Sequence, residues 1–194
     1  MVLTLAATAG AATAQSQALT IRASNQIVVY GDRVRISGLL ENAQPGTPVT
    51  VFIRRSGESA FVPVNNSSID ARGAWSFTFE PTILTRLQAR SGETVSPTVV
   101  VRVRPKLTLS RRRGALYTQA VAAESFRGRY VWFQRRSKEG RWRSLRKVVL
   151  NDPPRRFRAR LPAGISRVRV SLPRRQAGAG YEPATSRVLV LRRR

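Results

Sequence analysis

The side chains with chemistry to offer are arginines. Arg156, Arg158 and Arg160 alternate with Phe157, Ala159 and Leu161, so an extended segment would carry three guanidiniums on one face. Arg167 and Arg169 alternate in the same way with Val168, Val170 and Leu172, and Trp142 sits among Arg141, Arg143, Arg146 and Lys147. A guanidinium meets phosphate or carboxylate at two points and stacks on aromatic rings. Like charges on neighbouring strands repel, so such an arrangement costs stability unless an anion is near. Arg141, Trp142, Arg143, Arg156, Arg158, Arg160, Arg167 and Arg169 are therefore the candidate polyanion-binding residues. The expected partner is an anionic cell-envelope polymer (wall polyphosphate, acidic polysaccharide or lipid headgroups) or another surface protein, with nucleic acid less favoured. The competing reading is compositional. Arginine in place of lysine follows from a GC-rich genome, and strands need a polar outer face in any case.

Other chemistry is scarce. The 194 residues hold no Cys and no His, which removes thiol nucleophiles, imidazole bases, the usual structural zinc sites and disulfides. The 10 carboxylates are scattered, with no spaced pair suited to acid–base work. Asp70 with Gly73 reads as a hairpin turn, because a hard-cation site needs about six oxygens or more. No catalytic, cofactor-binding or metal-ligating residue is assigned, and the chain is expected to be non-enzymatic and without a cofactor.

The charge is unevenly placed. Of the net +25, residues 105–194 supply +21, from 25 basic and 4 acidic residues. The terminal Arg192-Arg193-Arg194 reads as a solvated end. Hydrophobic residues make up 42% of the chain, enough to build a core.

The elements that must position these arginines are strands. Val34 and Ile36, then Val49, Val51 and Ile53, then Trp75, Phe77 and Phe79, then Val99, Val101 and Val103 each recur with period two. Turn signals separate them at Gly31-Asp32, Pro45-Gly46, Ser56-Gly57, Asp70–Gly73 and Ser91-Gly92. Asn65-Asn66-Ser67-Ser68 reads as a loop. Trp75 and Phe77 are expected to anchor a first core, and Trp142 is assigned to a second.

After Pro105 the pattern restarts, with strands expected at residues 116–122, 130–135, 142–149, 157–161, 168–172 and 188–191. Val51–Arg55 aligns with Val131–Arg135, and Trp75-Ser76-Phe77 with Phe157-Arg158-Ala159. The offset between the copies grows along the chain, which places extra loop near Gly178–Pro183. Short strands with frequent turns mean an all-β sandwich or barrel, and the repeat means two copies of one domain. The expected organisation is a signal peptide over residues 1–14, a first sandwich over 15–104 and an Arg-rich second sandwich over 105–194.

Residues 2–14 are uncharged and apolar, and Ala12-Thr13-Ala14 fits the small-x-small rule of signal peptidase. This run is shorter than the roughly 20 residues needed to span a bilayer. The alternative is a helical or unstructured tail, and no Lys or Arg precedes the run. N-terminal sequencing of exported protein should begin at or near Gln15; protein recovered only in the cytoplasm with Met1 intact would rule the signal out.

Four segments carry a family resemblance. Tyr30–Gly38, Pro45-Gly46-Thr47-Pro48-Val49, Asp70–Phe77 and Ser96-Pro97 ahead of a Val-rich last strand resemble the bacterial immunoglobulin-like repeats of secreted and cell-surface proteins. In the second half, Phe133-Gln134-Arg135, Gly140-Arg141-Trp142 and Tyr181–Ser186 are similar to the same family. The resemblance implies tandem immunoglobulin-like or fibronectin type III-like β-sandwiches acting as extracellular spacers, stalks or adhesive modules. It carries over no binding residues. In such a sandwich the strands at Arg156 and Arg167 belong to opposite sheets, so the charge wraps the domain.

Overall fold

The structure, a computed structural model, describes residues 18–193; the expected signal peptide and Arg194 lie outside them. Period-two alternation gives each strand one apolar face. In β4 (Pro48–Arg55), Val49, Val51 and Ile53 are buried, and in β3 (Val34–Leu39) Val34 and Ile36 are. Such strands pair edge to edge and bury that face against a second sheet.

The first half forms two sheets. One runs β1 (Arg22–Ala23), β3, β6 (Ala74–Phe79). The other runs β2 (Ile27–Val29), β9 (Val99–Arg104), β7 (Thr85–Ser91), β4, β5 (Val62–Ser68), with β8 (Thr94–Val95) also on β7. β2 joins β9 in parallel, and the other pairs are antiparallel. The chain changes sheet between β3 and β4, between β5 and β6, and again between β6 and β7. That is the Greek-key order of an immunoglobulin-like or fibronectin type III-like sandwich.

The second half repeats this order. β10 (Lys106–Arg112), β11 (Ala115–Val121) and β14 (Arg155–Phe157) make one sheet. β13 (Trp142–Val149), β12 (Tyr130–Arg136), β15 (Gly164–Leu172) and β16 (Ala184–Thr185) make the other, with β17 (Leu189–Arg193) also on β15. Arg156 and Arg167 thus stand on opposite sheets. β9 ends at Arg104 and β10 begins at Lys106, on either side of a buried Pro105. Among the described residues no helix is long and apolar enough to cross a membrane.

Several expectations need correction. Trp75 is buried, but Phe77 is only half-buried and stacks on Phe79 at 5.6 Å. β6 pairs with β3 alone, so a ring on it keeps one side open. Asn65–Ser68 is not a loop but the end of β5, where the Thr50 hydroxyl donates to Asn66 Oδ1 at 2.9 Å.

Trp142 is not core. A β-bulge between Phe133 and Gln134 shifts the register, so Arg146 faces Phe133 while Ser144 faces Gln134. Leu145 is the extra residue. Side chains before it exchange faces, which turns Trp142 outward. The strand expected at 157–161 ends at Phe157, and Arg158 leaves the sheet.

The added length of the second half lies between β15 and β16. It holds a one-turn helix, α1 (Arg174–Ala177), and a loop that reaches the first half. Gly180 O accepts from Leu84 N at 2.9 Å, and Glu182 N donates to Val103 O at 2.9 Å. The Glu182 carboxylate stands 3.9 Å from Arg102 and 3.4 Å from Arg174. Tyr181 is buried beside them and meets Phe126 edge-on at 5.7 Å.

Candidate anion-binding cavity

Because β14 stops at Phe157 and β15 begins at Gly164, an irregular link spans one end of the second sandwich. Behind it lies a cavity of about 1070 Å³. Its floor is apolar: Leu116 from β11, Phe133 from β12, Leu161 from the link and Leu191 from β17. Phe133 is fully buried and braced edge-on by Phe157 at 5.3 Å. Leu145, displaced by the bulge, stands exposed at the margin.

Six arginines complete the lining: Arg111, Arg146, Arg158, Arg160, Arg192 and Arg193. Two of them hold the link in place. Arg146 Nη1 donates to Arg158 O at 3.0 Å, and Arg193 Nη1 donates to Leu161 O at 2.6 Å. No carboxylate lines the cavity, and none of the ion pairs among the described residues involves these six side chains. Ser166 on β15 also lines it. Ser166 is 4% exposed, and its Oγ has no hydrogen-bond partner among the described residues. A buried hydroxyl without a partner costs about 1–3 kcal/mol, so the cavity carries an unmet polar demand in its wall.

The eight residues singled out from the sequence do not come together. Arg158 and Arg160 reach the cavity rim. Trp142, Arg167 and Arg169 belong to the outer face of the larger sheet. There the Arg169 guanidinium lies 4.1 Å from the centre of the Trp142 ring, and its Nε donates to Gln134 Oε1 at 2.9 Å. Desolvation by burial lowers the Arg169 pKa, yet a guanidinium stays charged at neutral pH. Arg156 is on the opposite sheet, across from Tyr117. Arg141 and Arg143 lie at the β12–β13 hairpin, Arg143 across from Arg135. An aromatic–cation pairing lies further along the same outer face, where Lys147 Nζ stands 4.7 Å from the Tyr130 ring and 5.4 Å from the Trp132 ring.

Sequence reasoning missed Arg111, Ser166, Arg192 and Arg193, and took Arg146 only as a neighbour of Trp142. Arg192 and Arg193 are exposed, as a solvated end would be, but they are also the last residues of β17, paired with Ile165 and Gly164 of β15. The usable signal was the Val188–Leu191 strand pattern running directly into them.

No protein-family model and no curated protein matches the chain. Many solved structures are similar to it, two of them at the following low identities. A mutant of Salmonella alpha-2-macroglobulin is 16% identical with a TM-score of 0.37, and this chain spans 93% of its own length but 15% of that chain. The FN1–FN3 domains of chicken CNTN1 are 11% identical with a TM-score of 0.28, over 91% of this chain and 68% of that one. The assignment to the immunoglobulin-like and fibronectin type III-like class stands on the strand order of the four sheets.

Proposed function

We propose that the chain is a non-enzymatic, exported interaction module that docks on an anionic polymer through its second sandwich. The observation that supports this reading is the set of six arginines around one cavity with no carboxylate among them. The outer face of the larger sheet adds Arg167, Arg169 and Lys147, so attraction extends around the domain and is not confined to the cavity. Each phosphate or carboxylate neutralised releases condensed counterions, and affinity then falls steeply with salt.

The full chain should bind an anionic-polymer matrix at low salt and elute as salt rises. Changing Arg158 and Arg160 to Ser should move elution to lower salt by more than changing Arg33 and Arg72, two exposed arginines of the first sandwich. An equal shift from both pairs would reduce the interaction to net charge. Binding indifferent to salt would leave a plain spacer or stalk.

A further inference from the structure

The rim alone would serve a purely ionic ligand, but the floor beneath it is apolar and one wall carries an orphaned hydroxyl. We infer that the cavity is a binding site for a single-chain anionic amphiphile: an alkyl or acyl chain ending in a phosphate-like head. This deepens the docking proposed above by giving the arginine rim a ligand of defined chemistry.

Three features define that ligand. Leu116, Phe133, Leu161 and Leu191, with the exposed Leu145, give the cavity an apolar lining for a tail. Arg158, Arg160 and Arg192 are exposed at the mouth, where a head would keep partial contact with water. The Ser166 hydroxyl, buried and unpartnered, can donate to a head or ester oxygen that enters the cavity. The volume of about 1070 Å³ is slightly above the range of roughly 300–1,000 Å³ usual for small-ligand sites. An inorganic anion would leave the apolar floor unused; a neutral detergent would leave the guanidiniums unpaired. Only a molecule with both parts meets every wall.

The experiment is calorimetric titration of the full chain with monomeric dodecyl phosphate, ethyl phosphate and dodecyl maltoside. Each methylene buried is worth about fourfold in affinity, so dodecyl phosphate should bind at least on the order of 100-fold more tightly than ethyl phosphate. It should also exceed dodecyl maltoside, which shares its tail but not its charge. Ala159→Trp fills the cavity from the irregular link without changing any charge, and should remove the advantage of the long tail. Ser166→Ala should weaken dodecyl phosphate by about tenfold. The same change should leave the melting temperature of the ligand-free protein equal or higher, because it deletes an unsatisfied group.

Equal affinity for dodecyl and ethyl phosphate would overturn the site, as would binding of the maltoside as tight as that of the phosphate. If Ala159→Trp does not fold, the tail comparison and Ser166→Ala still decide. Polymer retention is read separately. If Ala159→Trp keeps its retention on the anionic matrix and loses only the tail advantage, the amphiphile site and the polymer docking are both upheld. If wild-type protein shows no tail advantage yet retains the polymer, only the site fails.

Discussion

Trp75→Ala should come close to unfolding the first sandwich. The indole is 3% exposed and lies in β6 directly across from Gly38 of β3. Truncating a buried large aromatic costs about 3–5 kcal/mol. The loss should fall at the lower end, because the buried Nε1 has no hydrogen-bond partner among the described residues, and deleting it removes that penalty. A unit of this size has only about 5–10 kcal/mol in total. Gly38→Ala attacks the same contact from the other side. A Cβ there would stand 1.9 Å from Thr20 O and 2.7 Å from Trp75 Cζ2. The first neighbour is backbone and cannot rotate away, so the cost should match or exceed the roughly 1–3 kcal/mol of ordinary overpacking. Urea denaturation followed by circular dichroism reads both variants. A change below about 1 kcal/mol in each would show that the β3–β6 contact is not central to the core.

Tyr181→Ala should separate the unfolding of the two halves. Tyr181 lies in the loop that reaches across from the second sandwich, between the Gly180 and Glu182 hydrogen bonds to Leu84 and Val103. It forms an isolated bridge with Val103 and packs on Phe126. Its loss should cost about 3 kcal/mol, held down because the buried hydroxyl has no hydrogen-bond partner among the described residues, and should loosen the loop that joins the halves. Calorimetry should then resolve two transitions where the parent shows one. The same residue predicts an alkaline limit. Desolvation by burial raises the Tyr181 pKa above the ordinary phenol value. The neutral phenol therefore supports the fold fully below the unfolded-state pKa of about 10, and that support is lost as pH rises through this value toward the folded one. A single transition in Tyr181→Ala, with unchanged alkaline stability, would place the coupling elsewhere.

Fold class was legible because it depends on period and turn chemistry, both local. The strands around Val49–Ile53 and Val99–Val103 announce themselves through bulky apolar residues on one face. β7 did not, although it is the central strand of its sheet. Its buried face is Thr85, Leu87, Ala89 and Ser91; the Thr85 hydroxyl donates to Ile83 O two residues back, and the Ser91 hydroxyl donates to Pro48 O on β4. A buried face that alternates Leu and Ala with hydroxyl residues has only a weak hydrophobic signature. Trp142 was misplaced for a different reason: one inserted residue at Leu145 reverses every side chain before it, and a bulge leaves no mark in composition. The cavity was illegible because its arginines come from β10, β13, the 158–163 link and β17. Only the sheet order brings these four segments to one end of the sandwich. The alternation of Arg156, Arg158 and Arg160 pointed to one face of one strand, and the strand ended before that face could form.

Two margins of the larger sheets, at β5 and at β13, are shielded in different ways. β5, at the margin of the first, carries Pro63, which offers no N–H to a further strand. β13, at the margin of the second, carries Arg143, Arg146 and Lys147, all exposed. Both devices discourage another chain from adding on. The first is written into covalent structure and is indifferent to the medium. The second is a field, and it thins as ionic strength rises. The β5 margin is thus guarded alike in every medium, whereas the guard on the β13 margin is set by the surrounding electrolyte.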